Sequence, residues 1–153
     1  MSAERRLKEL GIALPGAAKP VGSYVPGVQV GKLLFMSGHG PFDSEGKVTS
    51  QGKVGRNMTT EQAQAVAREV ALNMLGSIKG MVGDLDRVKR VVKVLGLVNC
   101  VDGYVDAPKV INGFSDCLVE VFGESGKHAR SAFGVTELPA GIPVEVEAVF
   151  ELD

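Results

Sequence analysis

The chain has 153 residues, 17 basic and 18 acidic side chains and a formal net charge of −1, with two tyrosines, six phenylalanines and no tryptophan. This composition leaves no surplus of positive charge for a phosphate backbone and few aromatic rings for base stacking, which argues against a nucleic-acid partner. The length corresponds to one domain, and the 44% hydrophobic content is sufficient for a single core without metals or disulfides.

The cysteines and the lack of long apolar runs in the sequence predict the cellular compartment of the protein. Cys100 and Cys117 have neither metal-ligand spacing nor the density of a disulfide framework, so we expect buried thiols in a reducing environment. The N-terminal MSAERRLKEL lacks the apolar run of a secretory signal, and no stretch approaches the roughly 18 apolar residues of a membrane span. A cytoplasmic protein without membrane contact is therefore expected.

Local signals predict an N-terminal extension and seven further elements. A short amphipathic helix at residues 3–10 and a proline-containing linker form the extension, residues 1–19, ahead of a domain at 20–153. The predicted elements of that domain, in chain order, are strands at 23–30 and 32–37, a helix from 59 to about 80, a strand at 88–98, a helix at 107–122, and strands at 129–136 and 144–152.

Two of these elements carry more specific signals. Pro26 indicates that the first strand lies at a sheet edge or contains a bulge, because proline cannot donate a hydrogen bond to a ladder. Thr59 and Gln62 form a capping-box pair at the start of the first long helix. Apolar residues then repeat every three or four positions, which is typical of a helix with one buried face.

The order β-β-α-β-α-β-β predicts an α+β domain in which two helices cover one face of a sheet. The other face of the sheet also carries valine and alanine side chains, which need a cover of their own. In a chain of this size, a further copy of the chain is the simplest cover. We therefore expect a homo-oligomer.

The segment HARSAFGVTELPAGIPVEVEAVF, residues 128–150, raises a question about function. His128 and Arg130 stand two apart and so share one face of a strand that otherwise offers small and apolar side chains. Arg130 is open to two interpretations: a salt-bridged strand residue, or a planar fork that holds a carboxylate through two hydrogen bonds. Its position and neighbours alone favour neither.

Two stretches of the sequence resemble a known family. SYVPGVQVGKLLFMSGHGP near the start and ARSAFGVTELPAGIPVEVEAV near the end are similar to the RidA/YjgF family of reactive-intermediate imine and enamine deaminases, and the resemblance covers residues 20–152. VINGFSDCLVEVFGE followed by HARSA resembles a longer branch, described as YjgF/chorismate-mutase-like endoribonucleases. The resemblance implies a chorismate-mutase-like fold and a homotrimer with three clefts between neighbouring subunits.

The resemblance also implies roles for particular residues. Arg130 corresponds to the arginine that grips the substrate carboxylate, and Glu145 corresponds to the glutamate that helps to position the attacking water. Further substrate-binding positions of the family correspond to Tyr24, Ser37, Gly38 and Asn112.

Three residues depart from the family pattern around the expected cleft, and we count all three as candidate substrate contacts. His39 stands where glutamine is frequent, Ala132 where cysteine is frequent, and His128 where proline is common; the loop at 42–57 is also longer. An imidazole could donate a hydrogen bond to an oxyanion or shuttle a proton, although an isolated histidine is usually structural or solvated.

Other chemistries find little support in the residue pattern. The GHGP segment lacks the spacing and the trailing Lys-Ser/Thr of a phosphate loop. Ser37 lacks the Asp/His pattern of a catalytic triad. No histidine and carboxylate cluster has metal-ligand spacing, so no metal is expected.

The leading hypothesis is hydrolysis of small 2-imino or enamino acids to 2-oxo acids and ammonia. Arg130 would hold the carboxylate, and Glu145 with backbone groups would place a water against the imine carbon, so that no cofactor is needed. Two alternatives stay open. One is a non-catalytic trimer that binds a small carboxylate metabolite; the other is RNA cleavage, which the label of the branch suggests and the charge balance disfavours.

Overall fold

The computed structural model describes residues 2–17, 19–20 and 22–153, and in this part of the chain it contains one mixed sheet and three α-helices. The strands are β1 (Gly27–Val30), β2 (Leu33–His39), β3 (Val88–Asn99), β4 (Ala129–Val135) and β5 (Val144–Leu152). The helices are α1 (Ala3–Glu9), α2 (Thr60–Val82) and α3 (Ala107–Phe122). The predicted α+β element order is confirmed, with the helix of the extension ahead of it.

The strands are ordered β1-β2-β5-β3-β4 across the sheet. Neighbouring strands are antiparallel except for β3 and β4, which run parallel. A parallel pair needs a crossover connection, and α3 supplies it. β1 and β4 are the two edge strands, so a residue on β4 lies near the rim of the sheet.

The sheet has one face covered by helices and one face that no helix of the described residues covers. Alternate residues of β5 point to α2 and α3 and are buried, namely Val144, Val146, Ala148, Phe150 and Leu152. The intervening positions of β5 point to the opposite side, which we call the open face. The prediction that two helices cover one face of the sheet is confirmed.

β1 is shorter than the sequence predicted. It begins at Gly27 and not at residue 23, because Pro26 has no N–H group for the ladder. The Pro26 carbonyl oxygen accepts a hydrogen bond from the Ser37 amide at 2.9 Å, so the chain just before β1 stays against β2. The predicted edge position of this strand is confirmed.

Two local predictions are confirmed, one at the exposed start of α2 and one in the core. At the start of α2, the backbone N–H of Gln62 donates to Thr59 Oγ1 at 3.1 Å, and the backbone N–H of Thr59 donates to Gln62 Oε1 at 2.9 Å. These two bonds complete the capping box. Cys100 and Cys117 are both buried thiols. Burial raises the pKa of Cys117 to about 11, so this thiol is protonated at neutral pH and behaves as a small apolar side chain.

Two glycines allow α3 to approach its neighbours closely. A Cβ on Gly113 would lie 2.0 Å from the carbonyl oxygen of Gln64 in α2, and a Cβ on Gly96 in β3 would lie 2.6 Å from Ile111. Both distances are far shorter than packed atoms tolerate, so a larger residue would push α3 outward. Because β4 is the strand next to β3, these contacts also set the distance between α3 and β4.

The extension packs on the outer side of the helices. α1 contacts α3, and Arg6 Nε donates a hydrogen bond to the Glu120 carbonyl oxygen at 3.1 Å. The linker crosses α2 at Gly76, where a Cβ would lie 2.2 Å from the Pro15 carbonyl oxygen. Across the described ranges, neither α1 nor any other helix combines the length and apolarity needed to cross a bilayer.

Candidate functional site

Arg130 lies on the helix-covered side of β4. Its register partner on β3 is the fully buried Val94, and directly paired residues of neighbouring strands point to the same face. The guanidinium reaches the first half of α3, where Nη1 donates to Asn112 Oδ1 at 2.9 Å and to Ser115 Oγ at 3.1 Å. Nη2 donates to the Pro108 carbonyl oxygen at 3.4 Å.

These contacts leave one edge of the guanidinium unused. All three acceptors are neutral oxygens, and no carboxylate of the described residues forms an ion pair with Arg130. In the same part of the chain, Nε has no acceptor and Nη2 has only the 3.4 Å contact to Pro108; Nε and Nη2 are the two nitrogens of the fork that pairs with a carboxylate. Ala132, two positions along on the same side of β4, adds only a methyl group to this surface.

His128 directly precedes β4. Its ring contacts α3 and the short turn that connects α3 to His128. Nδ1 lies 2.6 Å from the Gly126 carbonyl oxygen, and Nε2 lies 3.0 Å from Ser115 Oγ. Burial lowers the pKa of His128 and the positive charge of Arg130 lowers it further, while the bond to Gly126 acts in the opposite direction. The net lowering favours a neutral ring beside the guanidinium.

Glu145 lies on the open face of the sheet. Its partner on β3 is Leu97, and its chain neighbours Val144 and Val146 point the other way, into the core. The carboxyl group is half-buried, and burial, followed by repulsion from Glu147, raises its pKa. A raised pKa makes the ionised carboxylate a stronger base, which suits a group that accepts a proton from water.

Ser37 and Gly38 of β2, to which the resemblance assigns substrate binding, lie on the same face of the sheet as Glu145. A Cβ on Gly38 would be 3.1 Å from the Glu145 carboxyl carbon, so the missing side chain leaves room for that carboxyl group. Ser37 Oγ donates to the Val25 carbonyl oxygen at 2.6 Å. Tyr24 precedes Val25 and its side chain is 51% exposed. We call Ser37, Gly38 and Glu145 the open-face group.

Four other candidates, Asn112, His128, Arg130 and Ala132, lie together on the helix-covered side of the sheet. We call Asn112, Ser115, His128, Arg130 and Ala132 the rim group. Within one chain the sheet separates the two groups, so Arg130 and Glu145 can meet one small ligand only if different copies of the chain supply them. Among the described residues, no set of three or more His, Cys, Asp or Glu side chains is arranged to hold a metal ion.

His39 belongs to neither group. It is 6% exposed, and its ring points from β2 toward α2. Nδ1 lies 2.7 Å from the Ser37 carbonyl oxygen, and Nε2 lies 2.9 Å from Ser77 Oγ. An irregularity of β2 between Met36 and His39 accompanies this orientation. The expectation that His39 lines the cleft is therefore corrected: its contacts are those of a buried structural histidine.

Ser115 was not predicted from the sequence, although it contacts both His128 and Arg130. It follows Asn112 by three residues and therefore lies on the same face of α3. That spacing was the available signal. The spacing points to a shared site only because β4 lies beneath this face of α3, and the spacing alone does not indicate where β4 lies.

Comparisons with known proteins agree with the fold. A family model described as "YjgF/chorismate_mutase-like, putative endoribonuclease" matches residues 4–146. Protein TCP17 of Trypanosoma cruzi is 44% identical over 148 residues, which cover 96% of this chain and 92% of that protein. A protein of Dermatophagoides farinae named 2-iminobutanoate/2-iminopropanoate deaminase is 28% identical over 144 residues, which cover 93% of this chain and 95% of that protein.

Solved structures give the same answer. The crystal structure of a putative endoribonuclease from Shewanella oneidensis superposes with a TM-score of 0.93 at 33% identity, and the match covers 99% of this chain and 100% of that chain. The superposition therefore includes the N-terminal extension as well as the sheet and its two long helices. Sequence, family model and three-dimensional fold agree over nearly the whole length, and the chain belongs to the YjgF/chorismate-mutase-like family.

Proposed function

We propose that this protein hydrolyses small 2-imino acids to 2-oxo acids and ammonia, in clefts between the copies of a homotrimer. The observation that carries this proposal is the Arg130 guanidinium, which only neutral oxygens hold: among the described residues, on its Nε/Nη2 edge, Nε has no acceptor, and Nη2 has only the 3.4 Å contact to the Pro108 carbonyl oxygen. Such an edge suits a small carboxylate, the group that every 2-imino acid carries. The name of the Dermatophagoides farinae relative supports the same substrate class.

The opposite placement of Arg130 and Glu145 favours a site that is shared between subunits. β4 is an edge strand, so the rim group of one copy can lie against the open face of the next. A head-to-tail contact of this kind closes into a ring when the rotation fits, and a trimer would contain equivalent clefts. Half-exposed apolar side chains on the open face, including Phe35 and Phe133, would be covered in the same contact.

The reaction in such a cleft needs only water and proton transfers. Water adds to C2 of the protonated imine while Glu145 accepts a proton from it, which produces a carbinolamine. Glu145 then returns that proton to the nitrogen. As the C–N bond breaks, the hydroxyl becomes the 2-oxo group, and its proton leaves with ammonia. Arg130 holds the carboxylate throughout, and truncating one partner of such a charge pair costs about 2–5 kcal/mol.

The test compares Arg130→Ala and Arg130→Lys with the parent protein. Calorimetry measures binding of 2-oxobutanoate, and turnover is followed as ammonia release from 2-iminobutanoate generated in situ by an amino-acid oxidase. We expect Arg130→Ala to weaken binding by about 30-fold or more and to remove turnover. Arg130→Lys keeps the charge without the fork and should bind with intermediate affinity.

The control for this test is Arg5→Ala, which removes an exposed arginine of α1 and should leave binding and turnover unchanged. Undiminished turnover in Arg130→Ala would refute the proposal. Binding of 2-oxobutanoate by the parent protein without any turnover would favour the alternative of a non-catalytic trimer that binds a small carboxylate metabolite.

RNA cleavage, which the family description mentions, fits this surface less well. The formal net charge is −1, and β5 presents Glu145, Glu147 and Glu151 along the open face. Carboxylates in this position repel a phosphate backbone. Nuclease activity that survives Arg130→Ala and declines as the protein is purified would indicate contamination.

A further inference from the structure

The donor and acceptor of each hydrogen bond around His128 can be assigned. The Gly126 carbonyl oxygen, 2.6 Å from Nδ1, can only accept a hydrogen bond, so Nδ1 carries the proton. In a neutral ring Nε2 is then an acceptor, and the Ser115 hydroxyl at 3.0 Å must donate to it. Ser115 Oγ keeps its lone pairs, and it accepts the Nη1 hydrogen of Arg130 at 3.1 Å.

This chain of bonds limits how the guanidinium can turn. Nη1 donates both to Ser115 Oγ at 3.1 Å and to Asn112 Oδ1 at 2.9 Å. Because the guanidinium is planar and rigid, two bonds at Nη1 fix the plane and the direction of the whole group. The Nε/Nη2 edge is then the part that a ligand can approach.

We infer that Ser115 and His128 are positioning residues, which orient the guanidinium of Arg130 so that its Nε/Nη2 edge receives the carboxylate of the ligand. Ser115 makes the direct bond, and His128 determines the direction in which the Ser115 hydroxyl points. The identity of the ligand rests on the proposed function. The hydrogen-bond chain itself does not depend on any reaction.

A serine beside a histidine also invites comparison with a nucleophile and its general base. Here the Ser115 oxygen already accepts the Nη1 hydrogen of Arg130, so a lone pair that would attack a substrate is engaged. Ser115 also lies on α3, three residues after Asn112, and shares with it the task of holding Nη1. These contacts favour the positioning role over nucleophilic attack.

The binding test uses 2-oxobutanoate as the probe and the intact protein. We expect Ser115→Ala to weaken binding about tenfold, which corresponds to the loss of one hydrogen bond to a charged group. Ser115→Thr keeps the hydroxyl and should restore most of the affinity. His128→Phe removes the acceptor and should weaken binding similarly. The double variant should be no worse than Ser115→Ala, because the two residues act in series.

The matched control is Asp116→Ala, an exposed position beside Ser115 on the same helix, which should bind 2-oxobutanoate as the parent does. Circular dichroism of each variant establishes that it is folded before binding is compared. A Ser115→Ala variant that is folded and binds like the parent overturns the inference.

Nitrogen NMR of isotope-labelled protein gives a readout that is independent of activity. We expect His128 as the Nδ1–H tautomer. The Nη hydrogens of Arg130 should give separate signals in the parent and in Ser115→Thr, and signals averaged by rotation in Ser115→Ala. An Nε2–H tautomer, or Arg130 signals that Ser115→Ala leaves unchanged, overturns the inference.

The two sets of measurements separate this inference from the proposed function. Loss of binding in Arg130→Ala with parental binding in Ser115→Ala refutes the positioning roles and leaves the proposed function intact. If the parent protein itself does not bind 2-oxobutanoate, the proposed function fails. The NMR signals of Arg130 and His128 then decide whether the two residues orient the guanidinium.

Discussion

At the scale of single residues, the two histidines share a local arrangement and differ in their surroundings. In each, Nδ1 faces the carbonyl oxygen two residues earlier, and Nε2 faces a serine on the covering helix, Ser77 for His39 and Ser115 for His128. His39 lies in the core, whereas His128 lies beside Arg130. The same bonding pattern therefore stabilises packing in one place and, in our proposal, orients a guanidinium in the other.

Lowering the pH should destabilise the protein through His39. Burial lowers the pKa of His39, and the bond to the Ser37 carbonyl offsets this only in part, so the unfolded chain takes up a proton at a higher pH than the folded protein. Between the two pKa values the unfolded state holds more protons, and the free energy of unfolding falls as the pH falls. Urea denaturation from about pH 8 to pH 5 should show this decline more strongly in the parent than in His39→Gln.

The half-buried His128 provides the comparison for that experiment. Its pKa is lowered in the same direction, and its ring is less buried than that of His39, so His128→Gln should reduce the pH dependence of stability to a smaller extent. All other titrating groups are common to the three proteins, so their contributions cancel when the pH dependences of the free energy of unfolding are subtracted. A pH dependence that is the same in His39→Gln and in the parent would show that His39 does not contribute.

At the scale of elements, α3 determines the geometry of the rim group. It holds Asn112 and Ser115 one turn apart above β4 and supplies the acceptors for Arg130. The apolar repeat predicted this helix at residues 107–122, which are the observed bounds. The repeat contains no information on how closely the helix packs, because that depends on which residues lie opposite it.

Gly113→Ala tests whether close packing, and not helix propensity, controls α3. Alanine favours a helix over glycine by about 1 kcal/mol. We nevertheless expect a loss of about 1–3 kcal/mol in the free energy of unfolding, because the new Cβ would lie 2.0 Å from the Gln64 carbonyl oxygen. Urea denaturation measures the change, and Asp116→Ala is the control on the same helix. A more stable Gly113→Ala would mean that α2 and α3 separate without cost.

At the scale of the whole molecule, the sheet is covered on one side only within the described chain. The open face and the strand edge beside it carry half-exposed apolar side chains: Val28, Val30, Leu33, Phe35 and Phe133. Apolar patches of this kind commonly mark interaction surfaces. In the proposed trimer, this face of one copy meets the rim group of the next.

Mixing two inactive variants tests whether the cleft is shared. We expect Arg130→Ala and Glu145→Gln each to abolish turnover alone, and refolding them together to restore it. In a random mixture of trimers, about one cleft in four would combine an intact Arg130 with an intact Glu145 from the adjacent copy. Analytical ultracentrifugation of the parent should give the mass of three chains.

The control for mixing is each variant refolded by itself, which should stay inactive. A monomeric mass, or no recovery in a mixture that sediments as trimers, would contradict the shared cleft. The result bears on the arrangement of the subunits and is separate from the contacts of Ser115 and His128 within one chain.

Most residues of the candidate site could be named from the sequence, but their arrangement could not. The resemblance placed Arg130 and Asn112 in one site, and the structure shows them in direct contact. It also placed Glu145 in a cleft between subunits, and the fold puts Glu145 on the opposite face of the sheet from Arg130. His39 was expected at the cleft and lies in the core, and Ser115 was not expected at all.

By itself, the sequence determined the kinds and order of the elements, because the signals for them are local: the Thr59 capping box, the apolar repeats of two helices and the effect of Pro26 on the first strand. Only the tertiary structure decided the face on which each site residue lies. Alternation along a strand shows that His128 and Arg130 share a side, but strand pairing and helix placement decide which side that is. For that reason the separation of Arg130 from Glu145, and the position of Ser115 between Arg130 and His128, emerge only from the fold.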